Sequence, residues 1–501
     1  MLLATGLAAG FVFYDLGWRS IWIDEATTWA TASQHGSGLW FWLLHDGGNM
    51  LGYYTAMHLL IAIIGTSPFA LRLVSALAYT ATVPCGYFLL RRLFDWKAAT
   101  AGAFLLAASS PVVFIGQQAR GYTPAILFTT AAAWALSVAV LDRSVRAWIG
   151  FVACATAAAY MTLLAALAVL ALLSALLAVR RSELEIRRVA TSVAVLSALW
   201  APLAVAAIRR GSGQLDWIQP LSWHGGQYSY QELTWQLTSS PRSAVLGIAT
   251  CAGCALGATL LAWRLKRHGR SAPEVFGPAL LVAWLAVPII TLVLISAVMT
   301  PVLSDRYVLP EIPAAGLLLG AVVTRIRPAP VGLALVAAVV VSRGLQVADT
   351  YGSQIENWDT TVNYVVAHHQ QHDCAAFFVA DGFTAFDYYY LRLPSLLRTL
   401  VDPVLPATSW ESKNPYVLDP ETFPPGTMTR IERACPRLWV VYTHTTTEAP
   451  GPGVPKYFAF KYLQLNHFRS QLETGGFRLR KTRYFVAVTV SLYVHPLPAS
   501  P

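Results

Sequence analysis

The stretch NMLGYYTAMHLLIAIIGT, residues 49–66, decides the topology of this chain. It is apolar, but short against the roughly 20 residues of a spanning helix, and it contains Tyr53, Tyr54 and His58. The other apolar runs fall at about 1–18, 69–90, 98–116, 122–141, 147–160, 162–179, 189–208, 243–264, 276–298, 308–324 and 329–346. Every second connection between them is basic: Arg91, Arg92 and Lys97; Arg143 and Arg146; RRSELEIRR at 180–188; RLKRHGR at 264–270; Arg325 and Arg327. Cytoplasmic loops collect Lys and Arg, so those five connections belong inside. The alternation holds only if 49–66 does not cross, and it therefore reads as a juxtamembrane helix at the outer surface.

Composition agrees. Of 501 residues, 55% are hydrophobic and only 12% charged, about half the charged share of a soluble protein. The net charge of +10 comes mostly from the short cytoplasmic clusters, and no nucleic-acid motif accompanies it. The first run, Leu2 to about Trp18, has no basic leader before it and reads as a span rather than a cleaved signal peptide. The expected fold is an α-helical polytopic membrane protein with about eleven transmembrane helices, N-in and C-out. Its transmembrane catalytic domain covers 1–348, with the first outer loop at 19–68, and an extracytoplasmic α/β domain covers 349–501.

In that last domain, 375–382, 437–443 and 485–494 read as strands, and FKYLQLNHFRSQLETGGF reads as a helix stopped by Gly475 and Gly476. Cys374 and Cys435 are its only cysteines, and an oxidising compartment predicts a disulfide between them. CAGC at 251–254 lies inside an apolar run and reads as small packing residues. HHQQHD at 368–373 has the spacing of a helical zinc pair but lacks a local third ligand, so it reads as a solvated helix end.

The chemistry collects on the outer side. WRSIWIDEATTWATASQHGSGLW, residues 18–40, sets Asp24 and Glu25 between tryptophans at the membrane surface. LLHDGGNMLGYY adds His45, Asp46, Asn49 and Tyr53; GQQARGYTP adds Gln117, Gln118, Arg120 and Tyr122; LSDRYVLPEIP adds Asp305, Arg306, Tyr307 and Glu311. Trp217, Trp223, Tyr228, Tyr230 and Trp235 of the loop 209–242 suit the headgroup layer and could also stack on sugar rings. Arginine matches phosphate oxygens bidentately, and a carboxylate takes a hydroxyl proton. The loops are therefore expected to converge on one outer pocket for a sugar phosphate and a hydroxyl acceptor. Outside the cell, such a donor must arrive on a lipid phosphate.

Taken in chain order over about 15–325, these segments resemble the GT-C glycosyltransferases, in particular the bacterial branch related to protein O-mannosyltransferases and lipid A aminoarabinose transferases. WIDEATTW is similar to the first-loop Asp-Glu motif of that superfamily, and DGGNMLGYYTAMHLL to its juxtamembrane segment. SPFALRLVSAL resembles the opening of the second span and QQARGYTPAILF that of the fourth; DWIQPLS and DRYVLPEIP have counterparts in later outer loops. The chain departs from the pattern where Asn49 and Met50 stand for prolines and Gln118 for an acid. The resemblance implies inverting transfer from a polyprenyl-phosphate sugar, mannose or arabinose-like, to an envelope glycan, glycolipid or protein at the outer face of the plasma membrane. It carries the catalytic base to Asp24, with Glu25 orienting the loop or binding acceptor. Arg306 and Arg120 are then the candidate phosphate clamp, with Arg209 and Arg210 as the fallback. Tyr122, Tyr307, Asp46, His45, Asn49 and Tyr53 are the candidate substrate contacts. No cofactor is required, although the Asp24–Glu25 pair has the chemistry to hold a divalent metal. A lipid-linked precursor transporter and a non-catalytic scaffold are the alternatives; a transporter would carry repeat symmetry or mid-membrane charges, and neither is visible.

Overall fold

The computed structural model describes residues 1–211, 215–221, 241–378, 380–410, 426–444 and 456–495, and only the backbone of 241–254, 272, 305, 381 and 456. The side chains of Cys251 and Cys254, and all of Trp223, Tyr228, Tyr230 and Trp235, lie outside the described residues. The chain packs as two compact units. One comprises Met1–Leu16, Leu43–Ala56 and Arg72–Gly352; the other comprises Gly17–Trp42, Met57–Leu71 and Ser353–Pro501.

The first unit is helical, and each expected apolar run is matched by a helix. Among the described residues, five helices are long and apolar enough to cross a membrane: Pro68–Leu93, Tyr122–Leu141, Ile186–Arg210, Pro273–Val298 and Ala329–Tyr351. Trp96–Ala107 and Ser110–Gly116 make a sixth if taken as one span bent by 54°. Pro111 in the first turn of Ser110–Gly116 and the frayed Ala108–Ser109 explain the bend. The Tyr79 hydroxyl donates to the Leu106 and Ala107 carbonyls at the bend, at 3.0 and 2.9 Å. Leu2–Phe13, Val145–Met161, Ala165–Ala178 and Leu309–Val323 are shorter apolar helices. Leu51–Ile64 is a separate 14-residue helix, entered through left-handed backbone at Gly47, Gly48 and Met50 and left through Gly65.

The five basic connections are joined to one another. Arg92 pairs with Asp142 at 2.5 Å, Arg188 donates to the Arg143 carbonyl at 2.7 Å, and the Arg180 N–H donates to the Arg270 carbonyl at 2.8 Å. Arg264 pairs with Glu274 at 3.5 Å, and Arg325 with Asp95 at 4.0 Å. Asp95 also caps Trp96–Ala107 by accepting from the Ala98 N–H. These links put all the basic turns at one end of the bundle, as their alternation requires. Small residues let the helices approach: a Cβ on Gly320 would lie 2.5 Å from the Gly102 backbone nitrogen.

The second unit holds a four-stranded sheet: β1 Cys374–Phe378, β2 Arg437–Thr443, β3 Arg478–Tyr484 and β4 Val488–Val494, in the order β1-β2-β4-β3. β1 and β2 are parallel, while β2–β4 and β3–β4 are antiparallel. Helix Lys456–Thr474 ends before Gly475 and Gly476, where the sequence stops it. Its Leu465, Phe468 and Leu472 pack with Ala376, Phe378, Leu438, Val440 and Tyr493 into one core. Two expected strands are trimmed at their ends. β3 itself goes unanticipated, because RLRKTRY is an exposed, charged edge strand without apolar alternation.

Cys374 and Cys435 form the expected disulfide, with Cα atoms 5.6 Å apart and a sequence separation of 61. Loop closure of that length predicts about 4 kcal/mol of stabilisation. In a Cys374→Ala, Cys435→Ala double variant, amide-exchange protection of β1, β2 and β4 is expected to fall by an amount of that order. Unchanged protection would remove this role.

Candidate active site

In the first unit the turn from His45 to Met50 is wedged between helix ends. A Cβ on Gly47 would meet the Arg210 Cβ at 3.0 Å, and one on Gly52 the Met161 methyl at 2.9 Å. The Asn49 side-chain oxygen accepts from the Leu163 N–H at 3.3 Å and the Thr162 hydroxyl at 3.4 Å. Asn49 therefore fastens the turn to the break between Val145–Met161 and Ala165–Ser174. Burial, and after it the neighbouring Arg210, depress the His45 pKa below its ordinary value.

Residues 117–122 are held as firmly. The Gln117 amide donates to the Tyr14 and Val12 carbonyls at 2.8 and 3.3 Å, closing the end of Leu2–Phe13. The Arg120 carbonyl accepts from the Ser75 hydroxyl at 2.9 Å, and the Ser75 hydroxyl lies 3.4 Å from that of Tyr53. Gly121 allows this path: a Cβ there would lie 2.3 Å from the Met161 carbonyl oxygen. The buried Arg120 guanidinium donates to the Tyr54 hydroxyl at 3.4 Å and lies 5.8 Å from the Tyr122 ring centre.

The short 3₁₀ turn Asp305–Tyr307 completes the cluster; the Asp305 side chain lies outside the described residues. The Arg306 guanidinium stands 5.1 Å from the Trp217 ring centre, and Trp217 meets Tyr307 edge-on at 6.5 Å. Trp284 donates to the Pro310 carbonyl at 2.9 Å, and Glu311 is fully buried beside it in sequence. Burial pushes the Tyr307 phenol well above its ordinary range. Tyr122 and Asp46 add to that shift, while the Arg306 and Arg120 guanidiniums oppose it. Five of the residues singled out from sequence thus share one electrostatic neighbourhood. Trp217 is the residue that sequence reasoning gave to the headgroup belt; only its separation of 89 residues from Arg306 hid the pairing.

Asp24 and Glu25 belong to the second unit, in the first turn of helix Ile23–Ala32, where carboxylates suit the helix dipole. Asp24 is half-buried and Glu25 fully buried. The helix packs on Asp381–Tyr390, with Trp29 edge-on to Tyr388 at 5.2 Å and Arg392 at 5.4 Å from the Trp29 ring centre. At its far end the Ala32 carbonyl accepts from His58 Nδ1 at 2.7 Å. Two of the three histidines of 368–373 face protein partners, His368 the Tyr364 carbonyl at 2.8 Å and His369 the Thr399 hydroxyl at 2.6 Å, while His372 is exposed. Asp373 pairs with Arg437 at 3.1 Å and accepts from the Trp439 indole at 2.8 Å.

The first unit thus gathers arginines and tyrosines from separate connections in one cluster, and the second holds a small four-stranded sheet with its helices. The fold of the chain is similar to those of solved structures from two proteins. A family model described as dolichyl-phosphate-mannose-protein mannosyltransferase matches residues 50–207. Among solved structures, ArnT from Cupriavidus metallidurans in the apo state is similar over 98% of this chain and 97% of its own, at 12% identity and TM-score 0.58. The same protein bound to undecaprenyl phosphate is similar over 100% and 99%, at 14% identity and TM-score 0.57. An Archaeoglobus fulgidus oligosaccharyltransferase, in complex with Zn and sulfate, is similar over 88% of this chain and 67% of its own, at 11% identity and TM-score 0.52. No curated protein matches the chain.

Proposed function

We propose that this protein transfers a sugar from a polyprenyl-phosphate carrier to a hydroxyl of an envelope glycan, glycolipid or protein, at the outer face of the plasma membrane. The observation that carries the reading is the grouping of Arg120, Tyr122, Asp46, Arg306 and Tyr307 within a GT-C fold. Two guanidiniums near partly buried phenols suit a phosphate that must stay at the membrane surface. The likeness to ArnT bound to undecaprenyl phosphate supports a carrier of that kind.

In this reading the Asp24 carboxylate accepts the proton of the acceptor hydroxyl. The hydroxyl oxygen forms the new bond to the anomeric carbon as the bond from that carbon to the phosphate oxygen breaks. The polyprenyl phosphate leaves with the bonding electron pair, and the arginines stabilise its added charge. A single displacement inverts the anomeric configuration. Glu25 orients the helix that carries Asp24 or contacts acceptor. The sugar is mannose or an arabinose-like pentose.

The test is a donor panel. Purified protein is given polyprenyl-phosphate mannose, polyprenyl-phosphate arabinose or a nucleotide sugar, together with an envelope extract as acceptor. Release of polyprenyl phosphate from a lipid-linked donor supports the reading; turnover with the nucleotide sugar alone overturns it. Turnover is expected to survive a chelator. Loss on chelation, restored by a divalent cation, would assign a metal to Asp24 and Glu25.

A further inference from the structure

We infer that Glu356, outside the site described above, is a positioning residue for the helix that carries Asp24. This rests on Asp24 as the base. Helix Ile23–Ala32 has no cap of its own, because Trp22 stands at the N-cap and offers no side-chain acceptor. A helix start leaves four N–H groups without helical partners, and a buried one needs an acceptor from elsewhere. The Ile23 N–H donates to Glu356 Oε2 at 3.1 Å. Glu356 is fully buried, which for a carboxylate is costly unless donors surround it. Two side chains supply them: the Trp358 indole donates to the same oxygen, and His444 Nε2 lies 2.7 Å from the other.

The contact is reciprocal. Ser20 Oγ accepts from the Trp358 N–H at 3.0 Å and the Asp359 N–H at 3.2 Å, the first two N–H groups of helix Trp358–His368. Each segment therefore caps the helix of the other, across more than 330 residues of sequence. Two further bonds fix the approach to the acid helix. The Ser20 N–H donates to the Gln354 side-chain oxygen at 2.8 Å, and the Ile21 N–H to the Tyr389 hydroxyl at 2.7 Å. Asp24 follows Ile23 directly, so its backbone is set one residue from the Glu356 bond. Glu356 touches no reacting atom in this account. It acts by holding the backbone from which Asp24 projects, and a catalytic group moved by about 1 Å loses roughly 100-fold in rate.

The test uses the full-length protein with three variants. Glu356→Ala is expected to lower kcat about 10- to 100-fold per folded molecule. Its affinity for undecaprenyl phosphate should stay within about 2-fold, because Arg120 and Arg306 belong to the other unit. Amide exchange at 23–27 should quicken by about 10-fold or more, with β2 and β4 unchanged. Glu356→Gln keeps an acceptor for the Ile23 N–H and should recover much of kcat. Ser20→Ala removes the reciprocal cap and should lower kcat in the same sense, and it decides the matter if Glu356→Ala does not fold. Unchanged kcat in Glu356→Ala, or unchanged exchange at 23–27, overturns the inference. An equal loss of lipid-phosphate affinity also overturns it, since that is a general structural defect. If Asp24→Asn keeps full turnover, the catalytic reading fails instead, and the exchange result still reports separately on the cap.

Discussion

Asp24→Asn is expected to fold, to bind polyprenyl phosphate as the parent does, and to turn over about 100-fold or more slowly. Asparagine keeps the size and the hydrogen-bonding shape of aspartate but cannot accept the hydroxyl proton. The defect should therefore fall on kcat, with donor affinity unmoved. Asp24 is half-buried in the first turn of its helix, and the Thr28 hydroxyl donates to the Asp24 carbonyl at 3.2 Å, a backbone bond that the substitution leaves in place. Turnover and donor binding measured on one preparation check the prediction. Equal turnover would take the base away from Asp24.

The second large effect is expected at the arginines. Arg306→Ala and Arg120→Ala should each weaken binding of polyprenyl phosphate, the true clamp by about 2–5 kcal/mol, or roughly 30-fold and upward. The two should differ in kind. Arg120 is buried against Tyr54 and Tyr122, so its loss also disturbs the packing of 117–122. Arg306 stacks on Trp217 from a short turn, and its replacement should leave the helices intact. Lysine at 306 keeps the charge without the planar fork and should recover only part of the affinity. Titration of undecaprenyl phosphate by tryptophan fluorescence measures all three. Full affinity in both alanine variants would move the clamp to Arg210, whose charge already depresses the pKa of His45.

Much of the fold was legible because a bilayer imposes length and charge rules on sequence. Tyr122–Leu141 falls where its apolar run does, and the five basic connections meet one another as their alternation requires. The acid and arginine motifs stand out in the sequence because ionisable residues beside spans are costly and therefore few. What stayed hidden depended on contacts between distant residues. Chain order suggests a boundary at 348/349, whereas packing groups Gly17–Trp42 and Met57–Leu71 with Ser353–Pro501. Ser20 on Trp358 and Trp29 on Tyr388 make that grouping, and no local periodicity announces it. Glu356 was invisible for the same reason: in QIENWD it reads as one acid in a polar linker, and only burial with three donors gives it a role. β3 escaped because an exposed edge strand carries charge where a buried strand would alternate.

The measurement that bears most directly on the account is the fate of the sugar–phosphate bond. Proteoliposomes holding this protein would be charged with a polyprenyl-phosphate sugar labelled separately in the sugar and in the phosphate, with acceptor outside. The account predicts that the sugar label passes to the acceptor with inverted anomeric configuration, while the phosphate label stays on the membrane as polyprenyl phosphate. Movement of intact donor between leaflets, with both labels still on one molecule, would contradict it.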